Sequence, residues 1–155
     1  MDGEHLSFEL PDLDGELVSA DDPRFAGKVL LVDIWGTWCA PCLSELPVFL
    51  DLQEKYGDRG LVIIAIAFER VDPEERTSHL REFREKHGIN FLVLEGGTPG
   101  QVMEKLPAIR GFKGFPVEIL MDRQGKVRTI RNGRGYSKRW ARKLDQELAA
   151  LLNER

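Results

Sequence analysis

The sequence predicts an α/β fold, a central mixed sheet with helices on both faces. Residues 28–34 (KVLLVDI) and 61–68 (LVIIAIAF) are nearly continuous apolar runs. Strands this hydrophobic have no wet face, so both sides of the sheet must be covered. Segments of helical length, bounded by stop signals, alternate with these strands. The order reads βαβα and then ββα, an arrangement of layers rather than of separate lobes. At 155 residues and 17.6 kDa the chain is one domain, residues 1–155, long enough to bury a core.

The elements follow from the punctuation. Residues 7–10 and 16–18 flank the turn-rich Pro11-Asp12-Leu13-Asp14-Gly15 and suggest an N-terminal β-hairpin. After the strand at 28–34, a helix spans 40–56 with Leu46, Phe49 and Leu50 on one side. Gly57 and Gly60 end it. Pro47 removes a backbone donor inside that helix and should kink it. Beyond the strand at 61–68, a charged helix spans 73–87, opened by Asp72-Pro73 and closed by Gly88, with Leu80 and Phe83 inward. A short strand at 91–94 and a short helix at 101–106 come next. Strands at 117–121 and 127–131 form a hairpin around Asp122-Arg123-Gln124-Gly125. The last helix, 137–152, has Ser137 as its N-cap and Leu144, Leu148, Leu151 and Leu152 as its apolar stripe.

Charge narrows the function. A net charge of −4 gives no reason to expect nucleic acid as a partner, and no apolar run is long enough to span a bilayer. Residues 1–22 carry eight acids and no Lys or Arg, whereas residues 122–143 carry nine of the 22 basic residues against Asp122 alone. The plain expectation is two solvated faces; the sharper one is a basic surface that docks an acidic partner. The N-terminus is acidic and polar, without the basic-then-apolar pattern of a secretory signal.

The chemistry lies in Asp33-Ile34-Trp35-Gly36-Thr37-Trp38-Cys39-Ala40-Pro41-Cys42. A buried strand ends, a turn follows, and a helix starts at the cysteines. A bridge across so small a ring adds only about 2 kcal/mol on the loop-entropy model. The pair is therefore a poor staple and a good switch. A helix N-terminus stabilises a thiolate, and Cys-x-x-Cys thiols reach pKa values of roughly 3.5–7.5. Cys39, at the exposed end, is expected to be the nucleophile. Cys42, one turn inside, is expected to be covered and to resolve the mixed disulfide. Pro41 needs no donor at the helix start. A Cys-x-x-Cys can also be half of a zinc or iron–sulfur site, but the other half is missing. His5, His79 and His87 are expected to be solvated surface.

These residues resemble the thioredoxin superfamily, in particular its TlpA-like and ResA-like thiol-disulfide oxidoreductases. The likeness rests on Trp35-Gly36-Thr37-Trp38-Cys39-Ala40-Pro41-Cys42 followed by Glu45-Leu46-Pro47. It continues through Phe8-Glu9-Leu10-Pro11-Asp12-Leu13-Asp14-Gly15 and Gly114-Phe115-Pro116. It covers about residues 7–152 and implies a thioredoxin-like fold with an insertion at about 69–88, after the second core strand. It implies a cis bond at Phe115-Pro116 facing the cysteines, where substrate backbone would pair. Trp38, Phe112 and Phe115 would form an apolar platform. Trp38, Ala40, Pro41, Phe115 and Pro116 are thus the expected substrate-binding residues. The resemblance also makes Asp33 and Glu45 candidate acid/base groups for Cys42. Asp33 sits in an apolar strand, so its pKa should rise. Glu45 in a first helical turn reads equally as an exposed acid kept ionised by dipole and solvent. On that footing Asp33 is expected to matter more. Glu118 stands where this branch more often has threonine, and is either at a wet sheet edge, the plainer expectation, or near the site.

The expected activity is reduction of protein disulfides by the Cys39–Cys42 pair, without organic cofactor or metal. The expected partners are a disulfide-containing protein and an upstream electron donor, with the chain acting as a monomer. The sequence does not decide the compartment: it is periplasmic or extracytoplasmic, as in much of the resembled branch, if a signal or anchor was trimmed, and otherwise cytoplasmic. The alternatives are a non-catalytic thioredoxin-like docking module or a metallochaperone. A peroxiredoxin-type peroxidase would need Thr and Pro where Gly36 and Val32 stand.

Overall fold

The computed structural model describes residues 5–155. A small hairpin, β1 (Glu9–Pro11) and β2 (Leu17–Ser19), precedes the main layers. The central sheet contains β3 (Val29–Trp35), β4 (Leu61–Phe68), β5 (Leu92–Gly97), β6 (Val117–Met121) and β7 (Val127–Asn132). Its order is β5-β4-β3-β6-β7. β3 pairs in parallel with β4, and β4 with β5, while β6 runs antiparallel to both β3 and β7. The sheet is mixed, as the sequence predicts. The parallel pairs need crossovers, and these are helices α1 (Ala40–Tyr56) and α2 (Pro73–His87). α3 (Val102–Lys105) is a single turn, and α4 (Lys138–Asn153) closes the chain.

The alternation of side chains along β3 sorts the two cores. Val29, Leu31 and Trp35 face α1, α2 and α4, packing with Phe49, Leu80 and Leu148. Leu30, Val32 and Ile34 face the hairpin and α3, packing with Phe8, Val18 and Leu106. The second face is thus covered mainly by the hairpin and loops, less by helix than the sequence suggests.

Helices end where their signals stand. Ser137 accepts from the Trp140 N–H at 3.0 Å and caps α4. Gly88 takes φ 62° and stops α2, and α1 continues through Pro47. β5 runs to Gly97, beyond the expected end at 94. Glu95-Gly96-Gly97 lacks the apolar signature of a strand, yet it is needed for packing: a Cβ on Gly96 would fall 2.5 Å from Phe68 Cζ.

Candidate functional site

β3 delivers the chain to Gly36, and α1 begins after Cys39. Cys39 is the N-cap, and its Sγ accepts from the Cys42 N–H at 3.3 Å. The two cysteines are joined as a disulfide, with Cα atoms 5.3 Å apart. The sulfur of Cys39 therefore sits on an otherwise unpaired donor at the positive end of α1. The expected difference in exposure is absent. Cys39 is 5% exposed and Cys42 2%, because both belong to the core cluster against which Trp38 and Phe115 pack. Ala40 and Pro41 between them are exposed.

The turn before Cys39 is held from two sides. The Trp38 indole N–H donates to the Phe68 carbonyl at 2.7 Å, and Arg70 lies 3.9 Å over the Trp38 ring. Gly36 is required for this closure, since a Cβ there would stand 2.7 Å from the Phe68 carbonyl oxygen. Glu69, buried at the end of β4, accepts from the Thr37 N–H at 2.8 Å and also bonds the Thr37 hydroxyl. His79 reaches the same hydroxyl at 2.8 Å and Glu69 at 3.4 Å. His79 is therefore not simply solvated surface; α2 brings it against the active-site turn. Sequence reasoning missed Glu69 because nothing local marks an acid after a strand as buried.

The expected aromatic platform forms. Phe115 packs edge-on against Trp38 at 5.0 Å and against Phe112 at 4.9 Å. The Phe115–Pro116 bond is cis. The Gly133 N–H donates to the Pro116 carbonyl at 2.8 Å. A Cβ on Gly133 would meet Pro116 Cγ at 2.6 Å and Glu45 Oε2 at 2.8 Å, so only glycine lets the loop after β7 lie this close.

Glu45, three positions after Cys42 on α1, belongs to a buried acidic cluster. Asp33 is 3% exposed, and Glu45 and Glu118 are fully buried. Asp33 and Glu118 are direct partners across β3 and β6, which places like side chains opposite one another on one face. Glu118 Oε1 accepts from Arg131 Nε at 3.0 Å, and Oε2 accepts from the Trp140 indole at 2.8 Å. Arg131 also reaches Glu147 at 2.7 Å. Glu45 Oε2 accepts from the Gly135 N–H at 3.1 Å. Asp33 Oδ1 and Glu45 Oε1 are buried with no partner.

Two expectations are corrected here. Glu118 is not at a wet edge; β7 covers it and supplies Arg131. Glu45 is not an exposed first-turn acid; the loop from Gly133 to Ser137 folds over it, Gly135 bonds its carboxylate, and the Tyr136 N–H donates to Ser44 Oγ at 2.9 Å. Burial, then the Glu118 charge, pushes the Glu45 carboxyl up to about 8, against the opposing pull of the Gly135 N–H and Arg131. Burial, then Glu45 and Glu118, raises Asp33 well above the usual range. Glu118 is raised by burial, with Arg131 opposing. All three acids are thus raised, and Arg131 opposes the rise most directly at Glu118.

Residues 3–130 match the family model described as the AhpC/TSA family. The chain belongs to the AhpC/TSA family. Within it, the chain is 31% identical over 122 residues to the thiol-disulfide oxidoreductase ResA of Bacillus anthracis, covering 78% of this chain and 63% of that protein. The match therefore spans under two thirds of ResA's length. The thioredoxin-like protein YneN of Bacillus subtilis (strain 168) is 29% identical over 138 residues, 89% of this chain and 75% of YneN. Among solved structures, a putative thiol:disulfide interchange protein DsbE from Chlorobium tepidum superposes with a TM-score of 0.79 at 27% identity, over 99% of each chain. These relatives bear out the thioredoxin-like fold that the sequence motifs imply. No helix among the described residues is long and apolar enough to cross a membrane.

Proposed function

We propose that this AhpC/TSA-family chain is a thiol-disulfide oxidoreductase that reduces disulfides in protein substrates. The observation that carries the reading is the Cys39–Cys42 disulfide, with Cys39 Sγ on the Cys42 N–H at the start of α1. In the reduced protein the helix terminus favours the Cys39 thiolate. That thiolate attacks one sulfur of a target disulfide; a Cys39–target bond forms and the other target sulfur leaves as a thiol. Cys42 passes its proton to Glu45 or Asp33 in the ionised form and attacks the Cys39 sulfur. The target's second sulfur leaves, and the protein ends as the disulfide. Two electrons pass to the target, and an upstream donor must restore the dithiol.

Asp33 and Glu45 act in this reading as proton acceptors for Cys42. Trp38, Ala40, Pro41, Phe115 and Pro116 receive the substrate strand. The exposure of Ala40 and Pro41 beside the Trp38–Phe115 pair supports that assignment. A peroxidase reading finds no support, because the threonine it would need at position 36 has no room for its Cβ.

Insulin reduction in the presence of dithiothreitol tests the activity. The wild-type chain should accelerate precipitation of the insulin B chain, and Cys39→Ser should abolish the acceleration. Cys42→Ser should trap a mixed disulfide visible on a non-reducing gel, and Cys39→Ser should trap none. Equal trapping by both variants refutes the assigned roles.

A further inference from the structure

We propose that the rim around Cys39 and Cys42 is a docking surface for an acidic protein segment, so that preferred substrates carry their disulfide among carboxylate side chains. This rests on the thiol-disulfide reading and names the substrate class for that same site.

Four short segments of chain meet around the cysteine pair, and contacts place each of them. Arg70 lies over the Trp38 ring, at 3.9 Å. Trp38 packs on Phe115, and Phe115 on Phe112, the neighbour of Lys113. The loop carrying Lys113 is joined to the loop after β7 by Asn132 Nδ2 donating to the Gly114 carbonyl at 3.4 Å and by the Gly133 N–H on Pro116. That second loop carries Arg134 and returns to the cysteines at Gly135, where a Cβ would stand 3.5 Å from Pro41 Cα. The path closes around the exposed Ala40 and Pro41.

The exposed charge on this path is mostly positive. Arg70, Lys113 and Arg134 are exposed, as is Arg110 on the approach to the Phe112 loop. Of the acids on the same segments, Glu69 and Glu45 are buried and engaged elsewhere, and Asp72 is exposed at the start of α2, two residues past Arg70. Among the ion pairs of the described residues, none includes any of these four cations. The chain as a whole carries −4, so the rim has the opposite sign to the molecule around it. Unpaired cations beside an aromatic floor fit an extended peptide whose flanking side chains are Asp or Glu. Charge of this kind steers encounter and selects partners more than it adds affinity. A target with basic flanks meets like charge at three points of the path.

The test uses three synthetic peptides with the same two-cysteine ring, flanked by Asp and Glu, by Ser, or by Lys. Each reacts with the pre-reduced full chain in a single turnover followed by thiol quantification, and each rate is divided by that peptide's rate with dithiothreitol. At low ionic strength the acidic peptide should react roughly tenfold faster than the basic one. The ratio should approach one as salt shortens the screening length to about 3 Å. The double charge reversal Lys113→Glu, Arg134→Glu, on exposed loops, leaves two of the four cations and should bring the ratio close to one at low salt. Equal rates for all three peptides, or a preference for the basic one, overturn the proposal and leave the oxidoreductase reading standing. Failure to reduce any peptide, and insulin as well, overturns both.

Discussion

Cys42 and Glu45 are three positions apart on α1, so their side chains share a face of the helix. Asp33 approaches the same face from β3, two residues before Trp35. The sequence favours Asp33 as the proton manager because Glu45 reads as solvated. Burial of Glu45 removes that distinction. A proton acceptor works best when its pKa lies near the operating pH. Glu45, at about 8 and bonded through Oε2 to the Gly135 N–H, meets this condition; Asp33 is raised well above the usual range, chiefly by burial. We therefore expect Glu45→Gln to change the pH–rate profile of insulin reduction more than Asp33→Asn does, across roughly pH 6 to 9. Both should slow turnover near neutrality. A profile altered by Asp33→Asn alone contradicts this ranking. Glu118 acts through its neighbours. Its carboxylate, held by Arg131, is the charge that lifts Glu45, so Glu118→Gln should move the Glu45 limb of the profile to lower pH.

At the scale of elements, Glu69 at the end of β4 fixes the active-site turn. It binds Thr37 twice and pairs with His79 of α2. This joins the helix of the insertion to the turn that carries Cys39. Hydrogen bonds to a buried charged group contribute about 1.5–3 kcal/mol, and an orphaned partner costs a similar amount. Glu69→Gln keeps the shape and loses the charge, so it should lower the urea midpoint by an amount equivalent to about 1–3 kcal/mol. It should also speed alkylation of Cys39 in the reduced protein by loosening the turn. An unchanged midpoint and labelling rate would show that Thr37 is held by backbone geometry alone. Most elements were legible because period and punctuation agree, as in α1, α2 and β4. β5 was legible only in part, since Glu95-Gly96-Gly97 reads as loop but pairs with Ala67 and Phe68 of β4, and Gly96 leaves room for the Phe68 ring. The cysteine pair and the cis-proline loop were legible from local motifs. The burial of Glu45, Glu69 and Glu118 was not, because each is covered by an element distant in sequence: the loop at 133–137, the turn at Thr37, and β7.

At the scale of the whole molecule, the buried acids set how stability varies with pH. A carboxyl whose folded pKa is raised binds its proton more tightly in the native state than when unfolded. Its contribution is intact below the unfolded value and is lost as pH rises toward the folded one. For Glu45 that window runs from 4.5 to about 8, and Asp33 and Glu118 act in the same sense. The opposite limb comes from acids held low. Burial works against Asp122, but the N–H groups of Lys126 and Gln124 and the Arg128 guanidinium outweigh it and lower its pKa. At Asp145 burial is likewise outweighed, by Lys55 and Tyr56, which tie α1 to α4. Their contribution is intact above 3.8 and is lost as pH falls through their lowered values. The two limbs cross between these windows, so stability should peak near pH 4 to 5, on the acid side of the range of roughly 5–8 usual for proteins. The urea midpoint of the oxidised chain should fall from pH 5 to pH 8, with a slope of at most about 1.4 kcal/mol per pH unit for each acid. The double variant Asp33→Asn, Glu45→Gln should flatten that fall and leave the loss below pH 4 in place. A wild-type midpoint that rises from pH 5 to pH 8 would mean that the three acids are solvated in solution, and with it the proton-accepting role of Glu45 would be lost.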